Sequence, residues 1–264
     1  MIRLDLFKGG RKQAATFSYD DGTLHDERLI EIFNRYGIKA TFNLNSARIG
    51  TEGCVKELSL YEGHEIACHG VEHASLGVLP VQNIYHEIFA DRLALERLAK
   101  RPVRGLAYAN GSYTAEAIEA LKASGIVYAR TTVRTERFEL PENFLCWHPT
   151  CHHKDAPRLA ERFMEKIVPT DYYKGKVFYV YGHSYEFAND NNWDMIESVC
   201  KTIGGDDRIW YATNIEIYEY MEAARRLVFT ADNKIVYNPS AMTVWFSSDN
   251  RPYEIGSGET LFID

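Results

Sequence analysis

Short apolar runs alternate with longer amphipathic stretches along most of this sequence, and this alternation restricts its fold more than any other feature. Each apolar run has the length of a strand, and the stretch after it repeats apolar residues with a helical period. Strands separated by helices pair in parallel. Roughly seven such units within 264 residues favour a closed or nearly closed (β/α) barrel over an open sheet.

The predicted strands of this barrel are Ala14–Tyr19, Lys39–Leu44, His64–Cys68, Gly105–Ala107, Ile126–Arg130, Lys176–Tyr181 and Arg208–Thr213. The predicted helices are Asp26–Tyr36, Val81–Lys100, Thr114–Ser124, Ala156–Val168, Trp193–Ile203 and Ile215–Leu227. After residue 227 the pattern changes to the short β-like runs Val228–Thr230, Lys234–Tyr237, Thr243–Ser247 and Thr260–Ile263. We therefore expect a barrel domain over residues 1–227 and a short antiparallel β appendage over residues 228–264.

Charge and composition exclude several classes of protein. The formal net charge of −7 argues against nucleic acid as a main partner. No apolar run reaches the roughly 18 residues of a membrane span. The segment Met1–Lys8 lacks the apolar centre of a secretory signal, which predicts a cytoplasmic protein. Five scattered cysteines, an odd number, indicate reduced thiols rather than a disulfide framework.

Two of the predicted strands are followed by residues that could bind a metal ion. Asp20 and Asp21 follow the first strand, where adjacent carboxylates are either a solvated turn or one ligand beside one free base. His69 and His73 follow the third strand with the i, i+4 spacing of one helical turn. Asp21, His69 and His73 would form a two-histidine, one-carboxylate set with open positions. Such a set suits Zn²⁺ in a hydrolase or Fe²⁺ in an oxygenase.

Three further positions are weaker candidates. His183 lies just past the strand Lys176–Tyr181, where a barrel carries its active residues, although it could also be a core histidine. The strand that ends near Tyr108 runs into a glycine turn whose backbone N–H groups could face an oxyanion. Trp147 lies in a loop that would pack on substrate or on the core.

His64 precedes Glu65 but lacks the second histidine of a zincin motif, so we interpret it as structural.

A cysteine- and histidine-containing segment could in principle form a separate zinc site. Cys146 and Cys151 are near His148, His152 and His153, but the segment lacks a short Cys-x₂-Cys pair. We therefore favour a loop over the pocket here, rather than structural zinc.

These motifs resemble those of the polysaccharide deacetylases with a NodB homology domain, carbohydrate esterase family 4. Thr16–Gly22 resembles the first motif of that family, His69–His73 the second, and Tyr181-Gly-His183 the last. The resemblance extends over about residues 14–227 and implies a distorted (β/α) barrel of about seven parallel strands. The third motif departs from the pattern, because Gly105 occupies the place of the usual arginine and the nearest arginine is Arg104.

The resemblance also implies a role for each site residue. Asp20 would be the general base and His183 the general acid, while the Tyr108 N–H would contact the oxyanion. Asp21, His69 and His73 would be the ligands of a divalent metal ion, most simply Zn²⁺.

The function that these roles imply is hydrolysis of the acetamide group of an N-acetylated sugar or polysaccharide. The alternatives are a related hydrolase of another C–N amide or of an O-acetyl ester, and a carbohydrate-binding protein without catalysis. A binding protein would not need the paired base and acid. An Fe²⁺ oxygenase is disfavoured because its ligands normally lie on a β jelly-roll, whereas these motifs alternate with helices.

Overall fold

A computed structural model describes residues 1–165 and 175–263 of the chain. The strands in these ranges are β1 Ile2–Arg3, β2 Gln13–Asp20, β3 Ala40–Leu44, β4 Glu65–Cys68, β5 Gly105–Ala107, β6 Tyr128–Arg130, β7 Cys151–His152, β8 Lys176–His183, β9 Ile209–Tyr211, β10 Val228–Phe229, β11 Ile235–Tyr237, β12 Val244–Ser248, β13 Arg251–Ile255 and β14 Thr260–Phe262. The α-helices are α1 Asp26–Arg35, α2 Val81–Ala99, α3 Ala115–Ala123, α4 Ala156–Met164, α5 Ser184–Asn189, α6 Trp193–Ile203 and α7 Asn214–Arg225.

Eight of these strands form one sheet, in which every pairing is parallel. Seven of them follow the order β6-β5-β4-β3-β2-β8-β7, and β9 pairs with the first half of β2. Trp147 forms an isolated parallel bridge to Arg130 of β6, and the strand β7 that soon follows pairs with β8. The segment between these pairings therefore brings the two ends of the curled sheet together. The predicted α/β barrel of about seven parallel strands is confirmed.

Strand β2 lies in the middle of the barrel core, and all eight of its side chains are buried. When both faces of a parallel sheet are covered, its strands are nearly continuous apolar runs of sequence. This explains why the sequence alone was sufficient to predict this strand. Phe17 and Tyr19 of this strand both pack against Phe33 of α1. This packing fixes the strand whose end carries the paired aspartates.

Most predicted elements agree with the structure to within one or two residues at their ends. The predicted helix Ala156–Val168 ends at Met164, and its last three predicted positions lie outside the described residues. The sequence interpretation missed β1, β7, α5 and β13, all of which have six residues or fewer. Among the described residues, no helix combines the length and apolarity that a membrane crossing requires.

The C-terminal strands form two small antiparallel sheets, with the orders β1-β12-β13 and β10-β11-β14. Strand β1, from the very start of the chain, pairs with Ser247 and Ser248 of β12. The apolar side chains of these sheets pack against the end of helix α7 in one cluster. This cluster contains Ala223, Ala224, Leu227, Val236, Val244, Phe246 and Ile255. Residues at the start of the predicted barrel domain thus pair with the predicted appendage, and the division at residue 227 stays a prediction.

We expect a chain that ends at Leu227 to unfold at a clearly lower temperature than the full chain. The cut would remove the buried Val236, Val244, Phe246 and Ile255, and each fully buried apolar side chain contributes about 1.5–3 kcal/mol. Thermal unfolding followed by circular dichroism measures the difference. A chain that ends at Gly258 is the control, because it loses only the largely exposed strand β14. Equal unfolding temperatures for all three chains would contradict the expectation.

Candidate active site

The register of the sheet brings the ends of neighbouring strands to one place. Asp20, the last residue of β2, lies opposite Asn43 of β3 on one side and His183 of β8 on the other. Strand β4 pairs with β3 and leads directly into His69. The candidate residues of three separate sequence motifs therefore meet at the carboxyl ends of the strands, the edge where barrel enzymes carry their active sites.

Asp21, His69 and His73 form a compact group of potential metal ligands, whose donor atoms all lie within 4.8 Å of one another. Oδ1 of Asp21 lies 3.6 Å from Nε2 of His73 and 3.9 Å from Nε2 of His69. Nδ1 of His69 donates a hydrogen bond of 2.8 Å to the carbonyl oxygen of Ala107. This bond leaves Nε2 free to bind a metal ion, as is usual for metal-binding histidines.

The backbone around this group is held in unusual conformations. Asp21 has a φ of 77° and His73 a φ of 61°, in the left-handed region that residues with a side chain seldom occupy. The buried carboxylate of Asp91 accepts hydrogen bonds from the backbone N–H groups of His69 and Gly70, each of 3.0 Å. Asp91, on helix α2, thus anchors the loop that presents the two histidines, and it contributes no ligand itself.

Asp20 lies beside the group and is held by two partners of its own. Oδ1 of Asp20 accepts a hydrogen bond of 2.8 Å from Asn43, and Oδ2 accepts one from the fully buried guanidinium of Arg130. Burial alone would raise the pKa of Asp20, but the positive charge of Arg130, followed by those of His69 and His183, holds that pKa below its ordinary value. The carboxylate is therefore ionised and able to accept a proton.

The arginine beside Asp20 is one that the sequence analysis did not select. Arg130 ends strand β6, while Arg104, the nearest arginine to the third motif, pairs with Glu219 at 3.1 Å on the protein surface. The guanidinium of Arg130 also lies 4.7 Å above the ring of Tyr181, which fixes its plane. Arg130 thus contacts Asp20 from a different strand than the motif predicts.

We expect Arg130→Met to move the acidic limb of the pH profile of kcat/KM to higher pH. Without the guanidinium, burial would raise the pKa of Asp20, and the base would be protonated over a wider acidic range. The pH at which kcat/KM falls to half on the acidic side measures this change. Arg104→Met is the matched control, since its partner Glu219 is exposed. An unchanged acidic limb in Arg130→Met would contradict this role.

His183 presents its two ring nitrogens to different partners. Nε2 lies 3.9 Å from Oδ2 of Asp20, while Nδ1 donates a hydrogen bond of 2.6 Å to Oε1 of Glu186. Burial alone would lower the pKa of His183, but the hydrogen bond to Glu186 and the charge of Asp20 raise it above its ordinary value. The imidazole is therefore predisposed to be protonated, with Nε2 facing the site.

The sequence offered a detectable signal for Glu186, which stands three residues after His183 in the first turn of α5. His183 is the N-cap residue of α5 and Glu186 its third helical residue, a spacing at which two side chains come close together. Gly182, between Tyr181 and His183, is required by packing, because a Cβ there would lie 2.1 Å from Nδ1 of His153.

Two of the predicted site residues, Tyr108 and Trp147, have their backbone N–H or side chain engaged within the fold. The backbone N–H of Tyr108 donates a hydrogen bond of 3.0 Å to the carbonyl oxygen of Arg130, so it is not free for an oxyanion. Trp147 is only 1% exposed and packs among Tyr128, Phe144 and Tyr179. Trp147 therefore packs on the core, which is one of the two expectations for it, and bridges to β6.

His64 has a structural role in this fold. Nδ1 of the buried His64 accepts a hydrogen bond from the backbone of Ala40, and Nε2 lies 3.1 Å from Oδ1 of Asn34. Among the residues that the structure describes, neither Cys146 nor Cys151 belongs to a group of three potential metal ligands.

Together, the fold and the site define a (β/α)-barrel protein with a two-histidine, one-aspartate group at the carboxyl ends of its strands. Residues 8–129, a little under half of the chain, match the family model of the polysaccharide deacetylases. The resemblance that the sequence motifs predicted is thereby confirmed. No curated protein sequence matches the chain.

Solved structures agree with this fold. A protein from Mycobacterium smegmatis, provisionally described as a polysaccharide deacetylase, has a TM-score of 0.64 at 16% identity, covering 84% of this chain and 94% of that one. A family 4 carbohydrate esterase from Streptomyces lividans, in complex with acetate, has a TM-score of 0.53 at 13% identity, covering 76% and 93%. This chain spans 55% of the Streptococcus pyogenes deacetylase PplD, over 44% of its own length, with a TM-score of 0.43 at 18% identity.

Proposed function

We propose that this protein is a metal-dependent deacetylase that hydrolyses the acetamide group of an N-acetylated sugar or polysaccharide. The observation that supports this most strongly is the position of Asp20. Its Oδ2 lies 3.8 Å from Nε2 of the candidate ligand His69 and 3.9 Å from Nε2 of His183. A base, an acid and a group of metal ligands therefore share one small space, as amide hydrolysis requires.

The residues present fit a divalent ion, with Asp21, His69 and His73 as its ligands. Burial lowers the pKa of His69, which favours the neutral imidazole that binds metals. Zn²⁺ suits this ligand set, and when bound it would supply a positive charge that polarises the acetyl carbonyl and acidifies a water molecule. The left-handed φ values of Asp21 and His73 are the kind of strain that persists at functional sites.

The side chains around the ligands would transfer the protons. Asp20 takes a proton from the attacking water, and Arg130 and Asn43 hold its carboxylate in place while it does so. His183 donates a proton from Nε2 to the leaving nitrogen, because an amine does not leave as an anion. Glu186 keeps Nδ1 of His183 protonated and fixes the orientation of the ring. The products would be acetate and a free amino sugar.

Acetate release from N-acetylated chito-oligosaccharides tests the proposal, with metal-free protein compared against protein reloaded with Zn²⁺. The acetate bound to the Streptomyces lividans esterase is the product expected of such a reaction. Aryl acetates and small amides, assayed in parallel, would identify the alternative hydrolases. Binding of the oligosaccharide without acetate release, with metal bound, would instead favour a carbohydrate-binding protein.

We expect the double variant His69→Ala/His73→Ala to lose the tightly bound metal ion together with acetate release. Removing both imidazoles leaves Asp21 as a single ligand, which is too few to hold Zn²⁺. Metal analysis after dialysis at low free zinc measures the loss. Cys146→Ser/Cys151→Ser is the control and should keep the ion. Metal that persists in the histidine variant but disappears from the cysteine variant would move the site to the cysteine-containing loop.

A further inference from the structure

A second group of potential metal ligands lies on the far side of His183 from Asp20. It consists of His152 at the end of β7, His183 at the end of β8 and Glu186 in α5, and its donor atoms all lie within 4.8 Å of one another. Oε1 of Glu186 lies 3.3 Å from Nε2 of His152 and 2.6 Å from Nδ1 of His183. The group includes none of Asp21, His69 and His73, so it is separate from the first group of potential ligands, although it shares His183 with the candidate active site.

A neighbouring histidine gives an independent indication that a ligand belongs here. His153 is only 1% exposed, yet neither of its ring nitrogens has a hydrogen-bond partner in the structure. Buried polar side chains nearly always have a partner, so such a group points to a missing ion or water. Nε2 of His153 lies 3.5 Å from Oε2 of Glu186, on the same carboxylate that contacts His152 and His183.

The distances suit a zinc ion. Zn–N and Zn–O bonds of about 2.0–2.2 Å place two donors of a tetrahedral shell roughly 3.3–3.5 Å apart. The contacts of His152 and His153 with Glu186 fall at this separation. The contact between His183 and Glu186 is shorter because Nδ1 donates a hydrogen bond to the carboxylate, and an entering ion would displace that proton.

The group can also be reached from solvent. The side chains of His152, His183 and Glu186 are 14%, 25% and 18% exposed. Lys154, whose Nζ lies 3.2 Å from Oε2 of Glu186, is 53% exposed and can turn away into water. A divalent cation that replaced this ammonium would therefore not have to disturb the core.

We propose that His152, His183 and Glu186 bind a second zinc ion, with His153 as an additional ligand or a close neighbour, and that this ion inhibits the enzyme. Binding would place the ion on Nδ1 of His183 and release to solvent the proton that Nδ1 now donates to Glu186. The ring would then have its only proton on Nε2 as a neutral, metal-bound imidazole, a far weaker acid than imidazolium. The inhibitory part rests on the proposed function, in which His183 protonates the leaving amine.

Zinc titration of the full chain tests the proposal. Metal-free protein is dialysed against a series of free Zn²⁺ concentrations, and the bound zinc is counted by elemental analysis. We expect two ions per chain, a tight one and a weaker one. His152→Ala should weaken the second by at least about 10-fold, since changing even a residue behind a metal ligand costs about 10–100-fold in affinity. His152→Gln, which preserves most of the side-chain volume, should give the same result if His152→Ala folds poorly.

His86→Ala is the matched control, because it removes an exposed imidazole on α2 that belongs to neither group. Only one bound ion in the wild type, or an unweakened second ion in both His152 variants, would overturn the second site. Acetate release should fall as the second ion binds, and a rate that stays level would overturn the inhibition. If no acetylated substrate is hydrolysed, the proposed function fails, while the zinc count still decides whether the second site exists.

Discussion

Replacing Asp20 with Asn should lower kcat by about 10²–10⁴-fold, the usual contribution of a general base, and leave the tightly bound metal ion in place. The amide has nearly the same shape as the carboxylate but cannot accept a proton from water. Asp20 already has two strong partners, Asn43 and Arg130, which donate hydrogen bonds to its two carboxylate oxygens. Steady-state acetate release, together with metal content at low free zinc, measures both effects.

The adjacent carboxylate provides the matched comparison. Asp21→Asn should weaken metal binding, because Oδ1 of Asp21 faces both His69 and His73. The two substitutions, at adjacent residues, thus distinguish an effect on proton transfer from an effect on metal binding. Thermal unfolding of both variants should be recorded, since Arg130 loses its charged partner in Asp20→Asn. Equal metal loss in the two variants would show that Asp20 is a ligand and not a free base.

The sequence was sufficient to predict the barrel and the residues that follow its strands. Strand β2 is buried on both faces and reads as one apolar run, so the position of Asp20 and Asp21 at its end was visible directly. His69 and His73 were visible through their spacing. These are local signals, in which the residue and the element that carries it are neighbours in the chain.

The contacts that the sequence analysis missed form only when the sheet curls into a barrel. Arg130 reaches Asp20 across 110 positions of sequence, and only the closure of the barrel brings strand β6 over the end of β2. The same closure directs the Tyr108 N–H into a sheet hydrogen bond and buries Trp147. Neither of these outcomes has a signature in the sequence, because tertiary packing decides which N–H groups and aromatic rings stay exposed. By contrast, the sequence could have predicted the contact between Glu186 and His183, because Glu186 lies only three residues after His183.

His183→Ala should nearly abolish acetate release from an N-acetylated sugar and leave most of the hydrolysis of an aryl acetate intact. An amine leaves only when it is protonated, whereas a phenolate leaves without an acid. The substitution removes the imidazole, whose Nε2 faces Asp20, but leaves Asp20 and the proposed ligands Asp21, His69 and His73 unchanged. Attack on the ester carbonyl needs only those groups, so the two substrates should respond very differently.

A purely structural histidine at position 183 makes the opposite prediction. Loss of its hydrogen bond to Glu186 would then disorder the start of α5, and both substrates would be hydrolysed more slowly by the same factor. Glu186→Gln separates the cases further, because it keeps the imidazole and weakens only its orientation, so its effect should be smaller and again concentrated on the amide. All rates should be measured with zinc just sufficient for one ion per chain. Equal losses on amide and ester would end the assignment of His183 as the acid, since a proton donor matters only where the leaving group needs the proton.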